Sequence, residues 1–445
     1  MEDTVTLPIV LERNRRALQA AYLYGSMVAA LVLNLVASEL TTRILGPAGY
    51  GDVKFVQSLW MFGSIVSTFG YLQSASRLAL AEADETRTRE IVGLVLIASL
   101  AAGVVIAVAS AALAFPIEAL SNLKVARLLL LLAPLVLVMP LRDGLALVLQ
   151  NANQIGLLGF LNLVPIFLYS ALVWLVPPPP AAPQLWVLLL QLGTMLAACM
   201  VVAVLLRPRW PRFGRWLERL GKENRSFGWP IYIGSLAGVA SSYVNRIALA
   251  FWADNVSVGF LSLALSLVEP LKLIPNAVAT SSYRGFAQQS RIGAKTWIVT
   301  IGVSLLTMAG ALWGYGGPVR FLYGSSFGAV SSMSRVAAFG AVAHGFGDFF
   351  NRFLGAHGRG RDLRNGAFIV GGINALGFLV AVPLWGTWGA LGVTCAAGFG
   401  YLAFMAVCYR RYVGSPLNLA LVAPADEPLH GTAIVEAAQS RFDGE

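Results

Sequence analysis

The sequence predicts an all-α polytopic membrane protein of about twelve transmembrane helices, arranged as two six-helix parallel repeats. Three observations carry that expectation: an apolar, charge-poor composition, twelve long apolar segments and a weak internal repeat. Of 445 residues, 57% are hydrophobic and 12% charged, against about 45–50% and about 25% in soluble domains. Too little polar surface remains to clothe a soluble protein. This excludes a soluble enzyme, a nucleic-acid binder, a disordered chain and a disulfide scaffold. Cys199, Cys395 and Cys408 lie in apolar runs without metal-ligand spacing, which predicts buried free thiols and no metal site.

Apolar segments near 18–44, 53–75, 91–115, 126–150, 155–176 and 185–206 form a first set. Those near 229–252, 259–282, 296–316, 332–356, 366–384 and 388–409 form a second. Each offers roughly the 20 residues that a helix needs to cross a bilayer. Barrel strands would alternate in polarity, and runs such as Ile91 to Phe115 do not. The first segment is too long for the h-region of a signal peptide and carries Asn34 and Glu39, so it reads as retained.

The net charge of +10 follows the topology. With the N-terminus inside, the basic residues cluster in the inner segments, and both termini are expected in the cytoplasm. The expected organisation is an N-terminal cytoplasmic segment 1–17, a first lobe 18–206, a basic cytoplasmic linker 207–228, a second lobe 229–409 and a cytoplasmic tail 410–445. In the linker, Trp210, Phe213, Trp216, Leu217 and Leu220 interleave with Arg209, Arg212, Arg215, Arg219 and Lys222, which fits either an amphipathic helix lying on anionic lipid or a linker that fixes topology and binds nothing. The halves resemble each other at an offset of about 205–208: the turn ending at Gly51 matches the one ending at Gly259, and Asp143 matches Asp348. An even number of spans per half makes the repeats parallel, and transporters of that design hold substrate between the halves.

Ionisable residues within spans are functional candidates, because lipid makes them costly. They are Glu39 and Arg43, Arg142 and Asp143, Arg246, Glu269 and Lys272, and His344, Asp348 and Arg352. Glu39/Arg43 and Asp348/Arg352 are spaced i,i+4 and Glu269/Lys272 i,i+3, so each pair shares a helix face and can neutralise itself. Arg246 has no carboxylate within four residues. Glu39, Asp143, Glu269 and Asp348 are candidates for coupling to a cation gradient. Polar residues such as Gln57, Ser58, Ser64, Ser242, Asn245 and Ser266 predict that spans one, two, seven and eight line a wet cavity. The nearly aliphatic spans three and six are expected to face lipid. No zinc-protease motif, nucleophile elbow or Walker loop occurs, so the reading assigns no catalytic residue and no cofactor.

Thr42-Arg43-Ile-Leu-Gly-Pro-Ala-Gly-Tyr-Gly51 resembles the end of the first helix of the O-antigen and exopolysaccharide flippases of the multidrug/oligosaccharidyl-lipid/polysaccharide exporter superfamily. Asn245 to Ala287, with Val258-Gly259-Phe260 and Leu273-Ile-Pro275, is similar to their seventh and eighth helices. Pro383-Leu-Trp-Gly386 through Gly389-Ala-Leu-Gly392 is similar to their last hairpin. Asn151-Ala-Asn-Gln154 stands where that family usually carries a basic residue. The resemblance implies two lobes forming a V that flip an undecaprenyl-diphosphate-linked oligosaccharide across the bacterial inner membrane. It implies cavity cations for the diphosphate, with Arg43, Arg246 and Lys272 foremost and Arg142 and Arg352 as further candidates. Expected partners are the lipid-linked oligosaccharide, membrane lipids, a glycan polymerase and export machinery, with no nucleic acid. The alternatives are a cation-coupled multidrug exporter of the same superfamily and a membrane glycan polymerase or acyltransferase.

Overall fold

Two glycines fold the longest helices back on themselves. The computed structural model of the chain describes residues 6–81, 85–121, 123–152, 154–209 and 213–414. Helix α1 (Thr6–Ser67) breaks at Gly46, whose φ of 63° favours glycine. A straight helix would hold Asn34 and Met61 about 40 Å apart at 1.5 Å per residue, yet both line one cavity. Helix α16 (Gly360–Val413) breaks the same way at Gly386, φ 53°. Across that break Gly366 packs on Met405, Gly377 on Val393 and Gly389 on the carbonyl of Ala381, the register of an antiparallel hairpin.

Between these hairpins run α2 (Tyr71–Ala81), α3 (Glu85–Leu120), α4 (Ala126–Leu132), α5 (Val138–Asn151), α6 (Ile155–Leu175), α7 (Pro183–Leu205) and α8 (Phe213–Glu223). They are followed by α9 (Trp229–Ser235), α10 (Ser241–Trp252), α11 (Asn255–Ser281), α12 (Tyr283–Phe286), α13 (Ala294–Gly314), α14 (Gly317–Tyr323) and α15 (Gly328–Ala356). The described residues contain no strand. Among the described residues, seven helices are long and apolar enough to cross a membrane, or eight if α4 and α5, bent by 44°, form one span. Pro134, which lacks an amide hydrogen, opens the 3-10 turn at that bend.

Two further predicted spans are broken by local backbone geometry. The segment 53–75 is broken by a turn at 68–70, where Phe69 and Gly70 both take positive φ. The segment 229–252 is α9, a π-helical turn over Leu236–Ala240 and α10, each shorter than a span. Such a turn inserts an extra residue and re-aims the side chains that follow, here Tyr243 and Arg246. The carbonyl of Ala237 in this turn receives Gly371 of α16 at van der Waals range, which a larger residue would deny. Helix α15 carries Arg335 and His344 among serines and glycines and does not reach the hydropathy of a span.

Two close approaches between α1 and α11 are reciprocal. Gly51 lies against the carbonyl of Asn255, and Gly259 lies against the carbonyl of Pro47. An offset of 208 residues turns Gly51 into Gly259 and Pro47 into Asn255. Each partner of one contact is therefore the equivalent of a partner of the other, as on a two-fold axis. Asn255 also donates from Nδ2 to Asp52 at 3.3 Å. This contact defines the Gly46 end of the bundle.

The linker end is closed by different chemistry. Tyr232 donates to the carbonyl of Val66 at 2.9 Å, and Asn224 donates to that of Phe69 at 3.1 Å. Arg77 pairs with Glu223 at 3.1 Å and lies 4.2 Å above the ring of Phe227. Two residues of the linker helix α8 depart from the expectation of a lipid-facing apolar stripe. Trp216 and Leu220 are buried against Leu72, Leu78, Ile91 and Leu94 of α2 and α3, and Trp216 Nε1 donates to Glu90 at 2.9 Å. A half-buried carboxylate acceptor and a ready apolar face outcompete the headgroup region. Trp210 and Arg212 of the stripe, and residues 415–445 of the expected tail, lie outside the described residues. Trp216→Ala is expected to destabilise the protein by about 3 kcal/mol, through lost burial and the cavity left behind. A lowered thermal transition of the detergent-purified protein would register it.

Candidate functional site

Three adjoining cavities occupy the seam where α1, α10 and α11 meet. The first, of about 360 Å³, lies between the two arms of α1, α6 and α7, and is closed by Tyr243 and Arg246 of α10 and Ser266 of α11. The second, of about 560 Å³, lies among α10, α11, α15 and α16 and is lined by Glu269, Lys272, His344, Asn374 and Tyr401. The third, of about 250 Å³, joins Asn34, Ser38, Tyr50 and Lys54 to Ser266 and Glu269. Arg246 lines all three.

The charges in these cavities differ in how they are compensated. Glu269 and Lys272 form an ion pair of 2.6 Å, as their i,i+3 spacing requires. Arg246 makes no ion pair among the described residues, and its buried Nε has no hydrogen-bond partner. Lys54 also has no ion pair among them, and its ammonium sits 5.3 Å from the Tyr50 ring centre, a cation–π contact. The lining of the first cavity contains these two cations and no carboxylate. Such a cavity attracts an anion, because a buried charge without a partner is costly. It repels a cation.

The other predicted site residues are distributed around this centre. Arg43 pairs with Glu39 and donates to the carbonyl of Leu322 at 3.3 Å, and neither lines these three cavities. Arg142 contacts Asp143 at 3.3 Å and Asn162 at 2.9 Å, and Ser64 donates to Asp143 at 3.3 Å. Neither lines these three cavities. Asp348 accepts from Tyr401 at 3.3 Å, and Arg352 donates to Asn276 at 3.3 Å, just outside the second cavity. His344 stacks on Tyr401 with ring centres 4.9 Å apart.

Lys54, Tyr169 and Gln191 were not singled out by the sequence reading. Gln191 lies in the sixth span, which was expected to face lipid. The structure instead turns it into the first cavity, where it accepts from Gln57 Nε2 at 2.5 Å. A single glutamine in an otherwise aliphatic span was the available signal. It was outweighed by the span's mean hydropathy, which averages over faces.

A family profile described as polysaccharide biosynthesis protein matches residues 19–289. A direct sequence comparison with curated proteins finds no match. Among solved structures, the fold is similar to lipid II flippase MurJ in an inward closed conformation, with TM-score 0.72, 14% identity and 87% of each chain covered. It is similar to the inward-facing conformation of a multidrug resistance MATE transporter of the MOP superfamily, with TM-score 0.70, 12% identity, and 88% of this chain and 96% of that one covered. An outward-facing MATE transporter gives TM-score 0.56 at 11% identity, covering 89% and 95%. The apolar helices, the folded hairpins and the polar seam are thus those of a membrane transporter fold. By its matching profile over more than half its length, the chain belongs to the polysaccharide biosynthesis protein family.

Proposed function

We propose that this protein flips an undecaprenyl-diphosphate-linked oligosaccharide across the bacterial inner membrane. In this reading twelve spans form two six-helix lobes, both termini are cytoplasmic, and the Gly46 end faces outward. The two lobes rock about the seam and expose it alternately to each side. The observation that carries the reading is the pair of cations, Arg246 and Lys54, without an ion pair among the described residues and in a seam cavity whose lining has no carboxylate. A diphosphate cannot cross hydrocarbon unaided, and Arg binds phosphate oxygens through a planar fork that stays charged. The family supplies the glycan, and a glycan polymerase and export machinery would take the product.

The MATE-like fold also suits a multidrug exporter, but a positively lined cavity disfavours the cationic drugs such a pump would take. A strain lacking its own flippase for a matching glycan supplies the test. Expression of this chain should restore surface polysaccharide. Accumulation of the lipid-linked precursor despite membrane-inserted protein would refute the reading.

A further inference from the structure

Helix α14 and the turn after it tie the second half of the chain to α1 near the Gly46 end. The helix (Gly317–Tyr323) joins α13 to α15 and has glycine on both sides, Gly316 before it and Gly324, at φ 84°, after it. Val319 and Tyr323 are buried while Phe321 is 82% exposed, so this short helix has an inner and an outer face. Tyr323 Oη lies 3.1 Å from Ser38 Oγ of α1. The direction of that bond is fixed by the backbone. Ser38 gives its one hydroxyl hydrogen to the carbonyl of Leu35, at 2.9 Å, so Tyr323 donates and Ser38 accepts. One residue earlier, the carbonyl of Leu322 accepts from Arg43 at 3.3 Å, and Glu39, one turn before Arg43, pairs with the same guanidinium. Phe327, in the 3-10 turn Ser325–Phe327, sets its ring edge to face with Tyr50 of α1 and Phe260 of α11, at 6.4 and 5.9 Å between centres.

A hydroxyl bond, a charge-assisted bond to a carbonyl and a ring contact can hold a seven-residue helix in place, yet each is modest enough to break in a working cycle. The flanking glycines allow the backbone to turn as it lets go. Ser38, the residue that Tyr323 grips, lines the first and third cavities, so the grip is on the wall of the site itself. We propose that α14 is a latch across the Gly46 end of the seam, with Arg43 and Tyr323 as its positioning residues. The latch must release α1 before that end can open. This gives Arg43 a different task from the one implied by the family resemblance. Its guanidinium already has a carboxylate and a carbonyl, and it lines none of the three cavities. Arg43 therefore holds the latch, and the phosphates are left to Arg246 and Lys54. The proposal rests on the alternating-access reading above and adds the element that gates one side of it.

The test places a Ser266→Cys reporter in the cavity wall of the full chain and measures its reaction with a membrane-impermeant maleimide, in spheroplasts and in inverted vesicles. Tyr323→Phe keeps the ring and removes the donor; Arg43→Gln removes the charge. Each should raise reporter reactivity in spheroplasts about fivefold, the effect of losing one hydrogen bond that holds the closed form. Arg43→Lys, which keeps a charged donor, should behave as wild type. Farnesyl diphosphate should bind the purified Arg43→Gln and Tyr323→Phe proteins as it binds wild type, whereas Arg246→Ala should lose it; binding also reports an intact fold. If either variant does not fold, Arg43→Cys with Leu322→Cys, bridged by a short bismaleimide, replaces it. Bridging should stop export and protect the reporter, and the unbridged double variant is the control. Wild-type reactivity in both variants would overturn the latch, as would full export by the bridged protein. Loss of farnesyl diphosphate from Arg43→Gln to the extent seen in Arg246→Ala would return Arg43 to the ligand set and overturn its place in the latch. A rise confined to inverted vesicles would reverse the orientation proposed above and uphold the latch. Failure of the wild type to bind farnesyl diphosphate would overturn the diphosphate reading, and reporter reactivity would still decide the latch.

Discussion

Replacing Arg246 by alanine is expected to abolish glycan export while the protein stays abundant in the membrane. Arg246 lines all three cavities and has no ion pair among the described residues. A ligand phosphate would be its partner, and truncating one member of a buried charge pair costs about 2–5 kcal/mol of binding, a loss of roughly 30-fold or more. The effect on folding has a different sign. Removing a partner from a satisfied buried pair is strongly destabilising, whereas removing a charge that has none relieves a desolvation cost. The thermal transition of Arg246→Ala should therefore hold or rise as transport falls. Arg246→Lys keeps the charge without the bidentate fork and should retain part of the activity. Lys54→Met should weaken export as well. Immunoblots of membranes, surface-polysaccharide assays and melting curves measure all three variants. Full export by Arg246→Ala would show the guanidinium to be idle.

Gly51→Val should cut transport to about a tenth of wild type or less, equivalent to roughly 1.4 kcal/mol. A side chain at Gly51 would overlap the carbonyl of Asn255, and one at Gly259 would overlap that of Pro47. The backbones must separate, and the Gly46 end of the seam can no longer close. In an alternating-access cycle this holds the cavity open to one side and prevents loading from the other. A Ser38→Cys reporter in the first cavity should then react several-fold faster with a membrane-impermeant thiol reagent applied outside. Because the contact is reciprocal, Gly259→Val should give the same phenotype. Normal export by both valine variants would show that this end stays apart throughout the cycle.

Much of the helix pattern was legible because the apolar segments were long: each of the twelve predicted segments is largely helical. The breaks were harder to read. The turn at 68–70 depends on the paired positive φ of Phe69 and Gly70, and the π-helical turn before Tyr243 depends on packing against Gly371. Neither leaves a strong local signal. Helical spacing placed Glu39 with Arg43 and Glu269 with Lys272, and the structure pairs both. The same spacing in Asp348 and Arg352 was not enough, since Tyr401 and Asn276 from neighbouring helices engage them instead. Sharing a helix face permits a pair, but tertiary neighbours decide it. Lys54 and Gln191 were passed over for a related reason: hydropathy identifies a span without saying which face meets the seam.

The most direct measurement is translocation in proteoliposomes. Purified protein is reconstituted with a fluorescent undecaprenyl-diphosphate-linked oligosaccharide in one experiment and with a cationic dye under an imposed proton or sodium gradient in another. Positive seam cavities predict that the labelled glycan crosses the bilayer, that Arg246→Ala stops it, and that the dye stays where it is. Dye transport without glycan movement, undiminished in Arg246→Ala, would contradict the account.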